Sequence, residues 1–217
     1  MKKLIIAISS VFMLLATSAF SMDLRPTIGI SGNLGVYAAT GIEENFNEAG
    51  TAIDTTIEEH GAFATEYGSI FIEIGLNDTV SIGVDYVPQT LETPQNISRD
   101  GANQNTVEAH FDDLTTLYAK INLPLGGTYI KAGMSYVDVT SKEIMSSSNS
   151  YGNDSTDGMT VGIGYNHEVA NGYSIRAEIT GTEFGDVSTD NGQTNKTNIK
   201  VEDMIGARGT ISIVKSF

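Results

Sequence analysis

From residue 25 onward, apolar and polar residues alternate, and no longer period competes with that rhythm. Ile28, Ile30, Leu34 and Val36 share one parity, while Thr27, Ser31, Asn33 and Gly35 take the other. The pattern recurs over residues 70–76, 80–86, 117–123, 130–136, 159–165, 173–179 and 205–213. A period of two puts successive side chains on opposite faces of a strand, whereas a helix needs a period near 3.6. Eight strands are therefore expected, with no persuasive helix among them, and the fold class is all-β.

The connections fall into two kinds. Asn77-Asp78-Thr79, residues 124–127 and Asn171-Gly172 are short and carry the residues of tight hairpin turns. Residues 38–62, 88–108, 140–158 and 184–199 are long and rich in Asn, Ser, Thr, Gly and acid. Two further segments at their edges, residues 106–110 and 200–203, read as strand extensions above the membrane. An even strand count with alternating short and long connections predicts an antiparallel up-and-down transmembrane barrel, with short periplasmic turns and four long outer loops.

Alternation does not say which face is inside. The polar parity is rich in small residues, among them Gly29, Ser31, Gly83, Gly133, Ser135 and Gly164, which suit the narrow interior of an eight-stranded barrel. Its few charges nearly balance: Glu73, Asp85 and Glu178 against Lys120, Lys131, Arg176 and Arg208. Such a set can pair within a closed lumen, where an unpaired charge is costly. On the apolar parity, Tyr86 and Tyr136 are expected at the outer rim, and Tyr165, Tyr173 and Phe217 at the periplasmic rim, as an aromatic girdle. The apolar rows are accordingly placed against lipid.

Residues 1–21 differ from the rest. Lys2 and Lys3 precede an apolar run, and Ser18-Ala19-Phe20-Ser21 puts small residues where a signal peptidase cuts. The chain is divided into a secretory signal peptide over 1–21 and a barrel over 22–217. It has no cysteine, so thiol catalysis and cysteine-ligated metals are excluded. A net charge of −15 disfavours nucleic acid as a partner.

The last strand alternates through Ile211 and Ile213 and closes on Phe217, which resembles the signal by which outer-membrane barrels are recognised for insertion. With the strand count, the loop asymmetry and the export signal, the chain resembles the small eight-stranded outer-membrane barrels of the OmpA, OmpX and opacity type. The resemblance implies location in the outer membrane of a Gram-negative bacterium, contact with membrane lipid and lipopolysaccharide, and handling by the barrel-assembly machinery; because the chain stops at Phe217, no periplasmic tether domain is expected after the barrel. Lys215 departs from the pattern by falling on the lipid-facing parity, where its ammonium can reach water from the rim.

No cofactor motif is present. Gly162-x-Gly164 and Gly126-Gly127 lack the following helix that would make an anion site. His60 with Glu58 or Glu59, and His110 with Asp112 or Asp113, are the pairs from which a lipid-modifying enzyme would have to be built, and no serine stands at a useful spacing. Acids crowd the first long connection at Glu43, Glu44, Glu48, Asp54, Glu58 and Glu59, which makes divalent cations candidate partners without matching an EF-hand. Three functions stay open: a structural and surface-interaction barrel, a narrow pore for ions or very small solutes, and an outer-leaflet enzyme. The first is the principal expectation and an enzyme is not.

Overall fold

The structure, a computed structural model, describes residues 24–100, 103–144, 151–192 and 197–217, with side chains for all of these but 96–100, 103–107, 143 and 144. The segment read as a signal peptide lies outside the described residues. Eleven strands follow in chain order: β1 (Arg25–Phe46), β2 (Ile53–Gly75), β3 (Val80–Tyr86), β4 (Leu91–Glu92), β5 (Asn96–Asp100), β6 (Asn103–Asn122), β7 (Thr128–Ile144), β8 (Asp154–Ala170), β9 (Tyr173–Phe184), β10 (Val187–Asp190) and β11 (Thr197–Ser216). No helix occurs among the described residues.

Eight of these strands close a ring. Its order is β1-β2-β3-β6-β7-β8-β9-β11, and β11 pairs back onto β1. Every pairing is antiparallel, so each strand crosses opposite to its neighbours. β4 and β5 pair with β6, and β10 pairs with β11. The eight strands expected from alternation all lie within the ring.

The ring is apolar outside and polar inside. Ile30, Ile179 and Met159 are 61%, 68% and 69% exposed, whereas Glu73 at the centre is 2% exposed. Apolar rows of this extent are unstable against water and stable against hydrocarbon. Tyr118 and Tyr129 are buried in the lumen, and glycine is what admits them. A Cβ on Gly164 would stand 2.2 Å from the Tyr129 ring, and one on Gly83 would stand 2.7 Å from that of Tyr118.

Several strands outrun a bilayer. A tilted strand crosses it in about 9–11 residues, yet β1 has 22, β2 has 23, and β6 and β11 have 20 each. Most of residues 38–62 is therefore strand, with a turn only at 47–52, tied by the Thr51 amide donating to Asn47 Oδ1 at 3.0 Å. Ile42, Thr55, Thr56 and Ile57 have strand-forming side chains. With polar residues on both faces, this hairpin shows no alternation to read. The two extensions expected at 106–110 and 200–203 do lie in β6 and β11.

One seam interrupts the wall. β3 ends at Tyr86, and Pro88 brings no amide to continue its ladder. β2 pairs with β3 only over Ile70–Gly75, while β4 and β5 go to β6. Above Ile70, no backbone ladder joins β2 to β4 among the described residues. The Gly68 amide instead donates to the Gln89 side chain at 3.1 Å.

Candidate functional site: a sealed lumen beneath an apolar chamber

Most of the lumen charges lie within a few residues of the short-turn ends of their strands, and registry brings them together with Asp85 and Arg208. Glu73 on β2 faces Lys120 on β6 and Arg176 on β9. Lys120 Nζ donates to Glu73 Oε2 at 3.0 Å, and Arg176 grips both carboxylate oxygens, Nη1 to Oε1 at 3.0 Å and Nη2 to Oε2 at 2.8 Å. Tyr118 OH adds a weaker bond at 3.3 Å. Glu178 accepts from Lys131 Nζ at 2.9 Å and from Tyr129 OH at 2.8 Å. Asp85 accepts from Arg208 Nη1 at 3.1 Å and from Ser69 Oγ at 3.0 Å. Arg208 lies 4.0 Å from Glu178, which links the clusters.

All seven charged side chains are buried. Rings fill the space between them. Lys131 Nζ lies 4.0 Å from the Tyr118 ring centre, and the Arg176 guanidinium sits near both Phe71 and Tyr129. Just above runs a chain of hydroxyls from β6 to β9: Thr116, Ser135, Thr160 and Thr182, spaced 2.7, 2.7 and 2.8 Å. The set is held in place because removing one member of a buried ion pair strands its partner in low dielectric.

Beyond the hydroxyls the lumen turns apolar. Tyr67, Val87, Leu91, Leu114 and Val137 form a buried cluster, with Tyr37, Phe111, Val139 and Phe184 packed on it. The Tyr37 and Tyr67 hydroxyls bond each other at 2.7 Å, so their polar ends are satisfied. Phe63 stacks between Tyr37 and Phe111, with ring centres 5.4 and 6.0 Å away. This apolar layer is absent from the sequence reading. Its signal was available in Phe63, Phe111, Val137 and Val139, but those residues fall in stretches that carry no clean alternation.

The aromatic residues on the outer parity stand as follows. Tyr86 and Tyr136 both pair with Thr115, so they share one level, and Tyr86 OH donates to Asp113 at 2.6 Å. Tyr165 pairs with Thr128, where β7 leaves its short turn. Tyr173 pairs with Lys215, whose ammonium lies 4.4 Å from the Tyr173 ring centre and donates to the Asn171 carbonyl at 2.6 Å. Ile211, Ile213 and Phe217 are exposed on the outer face, at 59%, 60% and 68%.

Of the two expected histidine pairings, His60 keeps Glu58 beside it, whereas His110 pairs with Glu108 rather than with Asp112 or Asp113. His110 bonds Glu108 at 2.8 Å, while Asp112 is engaged by Thr90 and Asp113 by Tyr86. His60 lies 3.7 Å from Glu58 and bonds Thr40 at 3.0 Å. Potential metal-ligand atoms of Glu92, Glu108 and His110 lie within 4.8 Å of one another, which makes them the one group among the described residues whose geometry could hold a cation. Glu108 is kept below the usual carboxylate range by hydrogen bonds from Gln95 and His110. The acids of the first hairpin do not gather into a site. They are strung along β1, β2 and the turn between them, and Glu44 is taken by Lys200 at 2.7 Å.

A closed antiparallel ring with a lipid-compatible exterior and an ion-paired interior defines a transmembrane β-barrel. The chain belongs to the outer membrane protein beta-barrel domain family, whose model matches residues 7–202. It is thereby an outer-membrane barrel of the Gram-negative type. Among solved structures it is similar to the outer membrane protein OprG from Pseudomonas aeruginosa, at 12% identity over 88% of this chain and 95% of that one, with a TM-score of 0.54. The outer membrane protease OmpT from Escherichia coli is 10% identical over 93% and 99%, with a TM-score of 0.45. Ail, the attachment invasion locus protein of Yersinia pestis, is 10% identical over 87% and 99%, with a TM-score of 0.41. At such identities the likeness to OprG is one of fold. No curated protein matches the chain in sequence.

Proposed function

We propose that this barrel is an anchored surface platform rather than a conduit. The supporting observation is the seal: Glu73, Asp85 and Glu178, fully engaged with Lys120, Lys131, Arg176 and Arg208 across the lumen. Opening a path for ions would require these buried pairs to separate, which is strongly unfavourable. Work is thus left to the long-hairpin end, which we place outside the cell. There the projecting β1–β2 hairpin carries Glu58 and Glu59 on exposed strand. Among the described residues the lumen holds more cations than acids, so the acid excess of the chain lies outside it. We assign these acids to contact with lipopolysaccharide through bridging divalent cations. In the same reading, residues 1–21 serve export of the 22–217 barrel. Tyr86, Tyr136, Tyr165, Tyr173 and Phe217 anchor it at the two interfaces, and the outward row Ile211, Ile213 and Phe217 meets the assembly machinery.

Planar-bilayer recording tests the seal. Wild-type protein is expected to leave the current at baseline, while Arg208→Ala, which releases Asp85, produces fluctuating steps. Discrete unitary steps from the wild type would replace this reading with that of a narrow pore.

A further inference from the structure

The apolar chamber above the seal encloses about 430 Å³, within the range of small-molecule sites. Its walls include Tyr37, Phe63, Phe111, Val137, Val139 and Phe184. The polar side chains on the wall are already engaged. Thr93 Oγ1 accepts from the Ala109 amide at 2.9 Å, Gln95 donates to Glu108 at 3.1 Å, and Thr156 donates to the Gly185 carbonyl at 2.8 Å. Among the described residues, no charged side chain lines the chamber.

We infer that this chamber is a binding site for a small, uncharged, predominantly apolar molecule. The chemistry follows from the walls. Burying an apolar ligand there releases water from aromatic and aliphatic surface. A carboxylate or sulfonate would lose its hydration and find no cation, so anionic amphiphiles are rejected. Access does not require unzipping the barrel. The chamber borders Gly61 and Ala62 of β2 on one side and Leu91 of β4 on the other, where no backbone ladder joins the two strands among the described residues. This inference goes beyond anchoring and holds whether or not the lumen conducts.

Two dyes sharing one ring system separate the outcomes. N-phenyl-1-naphthylamine is neutral, and 1-anilinonaphthalene-8-sulfonate carries a negative charge. Full-length refolded barrel held in amphipol, which offers no micelle interior, is titrated with each. The neutral dye is expected to saturate at one site, and the sulfonate to bind weaker by more than about tenfold. Ala109→Phe and Val139→Phe, which fill the chamber, should weaken the neutral dye by at least about tenfold. Both variants should still migrate differently before and after boiling. In the wild type, intermolecular NOEs from naphthalene should reach the Ala109 and Val139 methyls, a readout independent of either variant. Non-saturable binding, binding unchanged in filled variants that fold, or absent NOEs would overturn the site. Equal affinity for the sulfonate would overturn its restriction to neutral ligands.

Discussion

Glu73 accepts hydrogen bonds from Lys120, Arg176 and Tyr118 together, at 2% exposure. Removing its charge leaves two cations in the lumen without their counter-ion. Glu73→Gln is therefore expected to cost about 3–5 kcal/mol, read as a lowered urea midpoint for unfolding from lipid vesicles. Asp78→Asn removes a pair that is exposed on both sides, at 50% for Arg25 and 87% for Asp78, and should cost less than about 1 kcal/mol. Equal losses for the two would mean that the lumen pairs are solvated. Glycines divide in the same way. Gly164→Ala drives a methyl into Tyr129 and should cost about 1–3 kcal/mol. Gly209 has nothing within 4 Å of such a methyl, so Gly209→Ala should leave stability unchanged or raise it. The lumen charges were legible from parity alone, because a one-residue step reverses the facing of every side chain. Their partners were not legible: that Arg176 takes Glu73 while Arg208 takes Asp85 depends on strand registry and tilt.

Strand ends show where reading from sequence stops. The crossing segments were found because lipid on one side and a polar lumen on the other enforce alternation. Beyond the bilayer that constraint lapses, and the continuation of β1 and β2 through residues 38–62 has no comparable mark. The same holds for the break after β3, which takes its cue from the single residue Pro88. At the top of β1, Glu44 and Lys200 tie this hairpin to β11. The hydrogen bond from Lys200 lowers the Glu44 pKa and raises that of Lys200. A lowered carboxylate contributes stability above its unfolded value, about 4.3, and loses it as pH falls through the folded value. A raised lysine contributes below its unfolded value, about 10.4, and loses that as pH climbs through the folded one. Amide exchange over residues 41–45, corrected for intrinsic rates, should be flat across neutral pH and accelerate in acid below about pH 4. Acceleration already near neutrality would show that this pair does not hold the hairpin.

At the scale of the whole molecule, one inversion organises everything else: aliphatic rows face hydrocarbon, and charge faces charge across the lumen. The absence of cysteine makes the inversion directly measurable, since single nitroxide labels can be introduced without background. On β9, Ile175→Cys, Ala177→Cys and Ile179→Cys sample the outer parity, while Ser174→Cys and Thr180→Cys sample buried lumen positions. In the protein reconstituted into lipid vesicles, collision with molecular oxygen, which concentrates in the hydrocarbon, should be high at the first three and low at the other two. A flat profile, or one with the parities exchanged, would contradict the account.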